Sequence, residues 1–231
     1  MESYPLPRSQ EEAVLRVPEG EIAHTVTHAI AWLLSMIGAY VLMERVLDGN
    51  DPWRIVGCAI FSASLIAVYS SSTFSHAIGS PKPRRFFRML DQGSIYLLIV
   101  GTYTPFALAF MRTPAWWVFF GLMWSIALYG LIAKLWFAHR VDSVTLWSYV
   151  VLGWMPIVPM CALMVMRKVP LECVGWVLAG GICYTLGTIF FALDNKRFHC
   201  HAIWHTLAMA GSACHWVAIY YYVAVPSVSA I

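Results

Sequence analysis

The sequence predicts an all-α protein: a seven-transmembrane helix bundle with a cytoplasmic N-terminus and the C-terminus outside. Three observations predict it. The 231 residues are 60% hydrophobic and 12% charged, with a mean hydropathy of +0.67, against roughly 25% charged residues in an ordinary soluble domain. Seven apolar runs each approach the ~20 residues that a helix needs to cross the hydrocarbon core. Lys and Arg divide unevenly between the connecting segments: ten lie in the N-terminal arm and the second, fourth and sixth loops, and five on the opposite face. Positive charge is retained on the cytoplasmic side, which fixes the expected orientation.

The elements follow in order. Residues 1–21 form an acidic cytoplasmic arm containing Glu2, Glu11, Glu12, Glu19 and Glu21. It lacks the basic start, short apolar run and cleavage site of a signal peptide, so the arm is expected to be retained. Residues 22–224 form the membrane domain. Its first span, 22–46, carries His24 and His28 at its cytoplasmic end, with His24 expected at headgroup level and His28 either there or lining the mouth of a site. The second span, 54–77, ends in Ser72-x3-His76. The third, 90–110, opens at Asp91 and contains Pro105, which predicts a kink whose freed carbonyl is taken by a neighbour or a threonine hydroxyl. The fourth, 114–136, opens with Trp116 and Trp117, suited to an interfacial aromatic belt. The fifth, 144–166, contains Pro156 and Pro159 and should also bend. The sixth covers 171–193. The seventh, 201–224, opens with His201-x3-His205 and ends at Tyr220, Tyr221 and Tyr222, before a short tail of residues 225–231.

Several function classes drop out. A formal net charge of +3, scattered along the chain, gives no basic stripe for nucleic acid. No phosphate-binding loop, dinucleotide fingerprint or nucleophile elbow occurs. The six cysteines include no Cys-x-x-Cys and fall mostly inside apolar runs, where a thiol packs as a small hydrophobe; Cys161 and Cys173 are the best placed to pair, and a disulfide is not expected.

What remains is a constellation of histidines. Residues i and i+4 share a helix face, so Ser72 with His76, and His201 with His205, each aim at one point. With the predicted orientation, the end of span two and the starts of spans three and seven meet at the cytoplasmic interface. Ionisable groups in a membrane span are costly and face the bundle interior with a partner. Three neutral imidazoles, His76, His201 and His205, make the open tetrahedral zinc site of catalysis, whereas a structural site takes four protein ligands. Zinc lowers the pKa of a bound water and polarises a carbonyl, as hydrolysis of an amide or ester requires. Asp91 can orient an imidazole or accept a proton, and Ser72 can hydrogen-bond the water or an oxyanion. His215 lies about 15 Å further along its helix, too far for the same metal, and is expected as an isolated deep polar group. His139 and His199 fall in loops.

Ser72-x3-His76, the stretch Leu90-Asp-Gln-Gly-Ser-Ile-Tyr-Leu-Leu-Ile-Val-Gly-Thr-Tyr-Thr-Pro105 and His201-Ala-Ile-Trp-His205 resemble the hemolysin III family, the bacterial branch of the progestin and adiponectin receptor superfamily, itself grouped with alkaline ceramidases. The likeness runs from about Glu21 through nearly the whole chain, and Thr27-His28 matches a Thr-His element of bacterial members. The resemblance implies that His76, His201 and His205 bind zinc and that Ser72 and Asp91 belong to the site. Gln92 departs from the histidine that bacterial members often carry there. Residence in the bacterial inner membrane and a role in membrane lipid homeostasis are implied, with membrane lipids as partners. The chain is then either a ceramidase-like hydrolase acting on a lipid substrate, a non-enzymatic membrane-state regulator with a structural zinc, or a haemolysin-like pore.

A conducting path needs a continuous polar lining, whereas the ionisable residues here gather at one end. Purified protein in liposomes is therefore expected to release a small trapped dye no faster than protein-free vesicles do. Rapid release that scales with protein and is abolished by one helix-lining substitution would establish the pore instead.

Overall fold

The computed structural model describes residues 19–137, 142–193 and 200–225, and these are helical apart from short turns. Residues 1–18 of the arm, residues 226–231 of the tail and the loop histidines His139 and His199 lie outside the described residues. Eight helices are described: α1 Glu19–Asp48, α2 Pro52–Ala77, α3 Pro81–Phe110, α4 Pro114–Phe137, α5 Asp142–Trp154, α6 Ile157–Val165, α7 Leu171–Ala192 and α8 Cys200–Tyr222. Six spans are long and apolar enough to cross a membrane, α5 and α6 together making one of them. The remaining helix, α8, has 23 residues, or about 34 Å at 1.5 Å per residue. The chain is an all-α integral membrane protein.

Three boundaries differ from those the hydropathy pattern suggests. Helix α1 begins at Glu19, so Glu21 belongs to it. Helix α3 begins at Pro81, behind Ser80 at the N-cap position; proline is suited to a first helical turn, where its missing N–H costs nothing. Lys82, Arg84, Arg85 and Arg88 therefore lie on helical turns rather than in a loop, and Asp91 sits nearly three turns inside α3 instead of opening it. In the fifth span the helix stops at Trp154 and restarts at Ile157, because Pro156 can neither donate to the preceding turn nor fit beside it. Pro159 causes no second break: it occupies the first turn of α6, where the N–H would lack an intrahelical acceptor anyway.

Pro105 leaves α3 undivided. The nearby hydroxyls of Thr102 and Thr104 donate to the Leu98 and Val100 carbonyls, both at 2.7 Å, rather than to the Gly101 carbonyl that a proline at this position frees. Gly57 on α2 lets the two helices close at this point, since a Cβ there would lie 2.8 Å from the Pro105 Cα. Helix α3 packs against α2 on one side and α4 on the other, and α1 and α8 pack against α2 and α7 respectively. Phe61, Val100, Thr104 and Ile219 are fully buried. Helix α4 turns Val118, Tyr129 and Trp136 outward, as expected of a lipid-facing helix.

At the end of the bundle where α1 gives way to α2, arginines tie these helices to the end of α8. The Arg45 guanidinium lies 4.3 Å from the Tyr220 ring centroid, and its Nε donates to the Tyr220 carbonyl at 3.1 Å. Arg54 is buried, pairs with Asp51 at 3.3 Å and donates to the Val223 and Val225 carbonyls. The six cysteines are free thiols, Cys161 being exposed and Cys173 buried.

Filling the α2–α3 contact should be costly because the obstructing atom is backbone. Gly57→Leu is expected to lower stability by about 1–3 kcal/mol, the usual cost of overpacking. Gly121→Ala meets nothing within 4 Å and should be neutral or slightly stabilising. Thermal unfolding of both variants in the same detergent checks the contrast.

Candidate metal centre

Three helices deliver histidines to one end of the bundle. The last turns of α2 carry Ser72 and His76, both buried. The first turns of α8 carry His201 and His205, of which His205 is buried. The start of α1 carries Glu21, His24 and His28 at i, i+3 and i+7, a spacing that lines one helix face. No break interrupts these helices at the site, so each residue's direction is fixed by helical register.

The structure brings His76, His201 and His205 together. Their ring centroids are 4.3 Å apart for His201 and His205, 5.5 Å for His76 and His201, and 5.6 Å for His76 and His205. It also adds the two histidines of α1. The His24 ring lies 4.6 Å from that of His201, and the His28 ring 3.9 Å from that of His205. His24 is therefore a member of the cluster, because it shares the inward face of α1 with Glu21 and His28.

Five imidazoles form two sets whose candidate ligand atoms all lie within 4.8 Å of one another: His24, His201 and His205, and His28, His76 and His205. The sequence triad is thus divided between two sets that share His205. His28 Nε2 meets His205 Nδ1 at 2.6 Å, with one of the two nitrogens donating. That contact leaves His205 Nε2 buried without a hydrogen-bond partner, and likewise His28 Nδ1. An orphaned buried lone pair is expensive, and a metal ion is the partner that several converging imidazoles share. Neutral nitrogen donors in groups of three fit a divalent transition metal or zinc, so these histidines could hold a metal ion.

Glu21, like His24, has no place in the site that the sequence predicts. One carboxylate oxygen, Oε2, accepts from His76 Nδ1 at 2.5 Å; the other, Oε1, pairs with Arg84 and lies 3.7 Å from Arg88. The available signal was its position three and seven residues before His24 and His28. Asp91 of α3 faces Ser72 of α2 across the α2–α3 contact. Ser72 is one helical turn from His76, and Asp91 belongs to neither histidine set.

Deeper in the bundle, Ser212 links two helices through hydrogen bonds to Tyr69 at 2.8 Å and Tyr184 at 2.6 Å. The Tyr69 ring lies 6.3 Å from that of His28. His215 is not isolated: its Nε2 donates to the Val177 carbonyl at 3.1 Å and its ring lies 5.6 Å from that of Tyr184. The close approach of α7 to α8 at Gly180 and Gly211 makes room for both rings. A cavity of about 120 Å³ adjoins these residues, with Ile95 and Tyr103 of α3 and Trp204 of α8 in its wall.

A membrane-spanning helical bundle with a histidine cluster at one end defines the class, and comparison with known proteins places the chain within it. Residues 18–216 match the haemolysin-III related family model. Hemolysin-3 of Bacillus cereus is 34% identical over 203 residues, covering 88% of this chain and 91% of the relative. The hemolysin-3 homolog of Bacillus subtilis (strain 168) is 35% identical over 212 residues, covering 90% and 97%. The monocyte to macrophage differentiation factor of Homo sapiens is 27% identical over 209 residues, covering 87% and 83%. No solved structure matches the chain. The chain belongs to the haemolysin III family.

Because His205 is common to both histidine sets, its loss should matter most. Equilibrium dialysis against Zn(II) or Co(II) followed by elemental analysis is expected to find metal in the wild type and none in His205→Ala. His24→Ala leaves His76, His201 and His205 in place and should retain it. Equal occupancy in all three proteins would contradict the assignment.

Proposed function

We propose that this protein is a zinc-dependent hydrolase of the bacterial inner membrane, N-terminus inside, which cleaves an amide or ester bond of a membrane lipid and so acts in lipid homeostasis. The observation that carries the proposal is the convergence of His76, His201 and His205 from two helices at one end of a membrane-spanning bundle, with a partnerless nitrogen on the buried His205. The three imidazoles are the residues that would hold the zinc. When bound, zinc supplies a Lewis acid that polarises a carbonyl and acidifies water.

The chain's own residues supply the rest. Asp91 is the proton acceptor, and the Ser72 hydroxyl facing it is the group that would orient its carboxylate; a general base must be held in place before its basicity is useful. The cavity is lined by Ile95, one turn beyond Asp91 on α3, and by Trp204, the residue before His205. Its largely apolar wall suits part of an acyl chain, which supports a lipid as substrate. The names of the bacterial relatives speak of haemolysis, and a change in lipid composition is a route by which such an enzyme alters membrane integrity.

The test is lipid turnover by pure protein in bilayers of defined composition, with and without chelator. Turnover is expected to require metal, to fall at least about 100-fold in Asp91→Ala, the lower end of the range for a general base, and to vanish in the His76/His201/His205 triple-alanine variant. If chelation lowers thermal stability while no lipid is consumed under any condition, the metal is structural and the protein is a membrane-state regulator, since metal binding alone can supply folding free energy.

A further inference from the structure

The first helix gives each buried predicted ligand its own partner. Glu21 meets His76, and His28 meets His205. Both contacts are made at Nδ1, although the two histidines come from different helices that run to the site from opposite chain directions. Nδ1 of each ring is thereby engaged, leaving Nε2 as the nitrogen available to an ion, and for His205 that Nε2 is the buried atom without a partner.

We propose that Glu21 and His28 are positioning residues that hold His76 and His205 by Nδ1 and so fix Nε2 of both rings as the metal-binding atom. This rests on the metal reading above. A ligating imidazole ordinarily donates its other N–H to a carboxylate, carbonyl or similar acceptor, which sets its tautomer and its orientation. The Glu21 carboxylate is such an acceptor for His76, and the Nε2 lone pair of His28 serves His205. Glu21 divides its two oxygens between tasks: Oε2 faces the imidazole, and Oε1 faces Arg84 and Arg88 at the start of α3. The arginines thus anchor the carboxylate without competing for the oxygen that His76 uses. His28 is buried and stacks parallel to His76 at 5.5 Å with 4° between the ring planes, so its own direction is set by packing.

The experiment separates positioning from ligation and from simple scaffolding. Zinc affinity is measured by chelator competition on full-length protein in detergent, together with metal stoichiometry and the thermal midpoint of the metal-free form. Glu21→Ala and His28→Ala are each expected to weaken zinc binding about 10–100-fold, the usual cost of losing such a partner. One zinc per chain should still be reached at saturation. Glu21→Gln and His28→Gln retain an acceptor oxygen and should recover part of the loss. Arg84→Met breaks the Oε1 pair and the Arg84 Nε bond to the Ser75 carbonyl but leaves the Glu21 Oε2 contact with His76 intact; it should lower the metal-free midpoint at least as much as Glu21→Ala does while costing much less affinity. If Arg84→Met weakens zinc as much as Glu21→Ala, Glu21 acts as scaffold and its positioning role is overturned. Loss of stoichiometric zinc in His28→Ala, as in His205→Ala, would make His28 a ligand instead. Unchanged affinity in all these variants would overturn the inference while the metal reading stands, whereas a wild-type protein that binds no zinc would overturn both.

Discussion

The structure depends on one constraint: a charged or imidazole side chain buried in a membrane bundle, too long to bond its own backbone as a buried threonine does, must find its partner on a neighbouring helix. Five imidazoles and a carboxylate at one end must therefore find each other, and in doing so they dictate which helices meet there. Helix α1 is joined to α2 through Glu21 and His76, and to α8 through His28 and His205. Helix α3 joins the group through Arg84 with Glu21, and its Asp91 faces Ser72 of α2. In hydrocarbon, apolar packing has no water to escape from and provides little direction. The polar contacts supply the register.

The same logic orders the opposite end and the middle. Arg45 and Arg54 close the far end by bonding carbonyls near the end of α8, which are the groups a helix leaves unpaired at its C-terminus. Between the two ends, Ser212 bridges Tyr69 and Tyr184, so α8 is held against α2 and α7 by one hydroxyl. Helix α8 thus carries polar contacts at its start, its middle and its end. Helix α4 takes part in little of this and faces lipid along much of its length.

How much of this was legible in the sequence depends on what kind of signal each element carried. The helical spans were legible because about 20 apolar residues in a row have one physical meaning. His76, His201 and His205 were legible because i, i+4 spacing fixes a shared face and the loop charges gave all three segments a common depth. The position of Asp91 within α3 was not legible, since hydropathy marks where hydrocarbon begins and not where the helix does. Proline at Pro81 and the N-cap position at Ser80 carried that second signal. His215 was misjudged for a related reason: its partner, the Val177 carbonyl, is backbone and leaves no mark in the residue pattern.

Glu21 and His24 were missed because a charge or an imidazole at the end of a span has two readings that composition cannot separate, solvated at the headgroups or turned into the bundle. What separates them is the face. Glu21, His24 and His28 fall at i, i+3 and i+7, and a helix bordering water has no need to gather its ionisable groups into one stripe. Three such groups on one face point to a shared partner surface, and here each member of the stripe faces a different predicted ligand: Glu21 faces His76, His24 faces His201 and His28 faces His205. In a chain whose lipid-facing and core-facing sides are both apolar, the alignment of a few polar residues is more informative than the hydrophobic pattern, and it is the first helix, the one with the least obvious motif, that sets the directions of the other two.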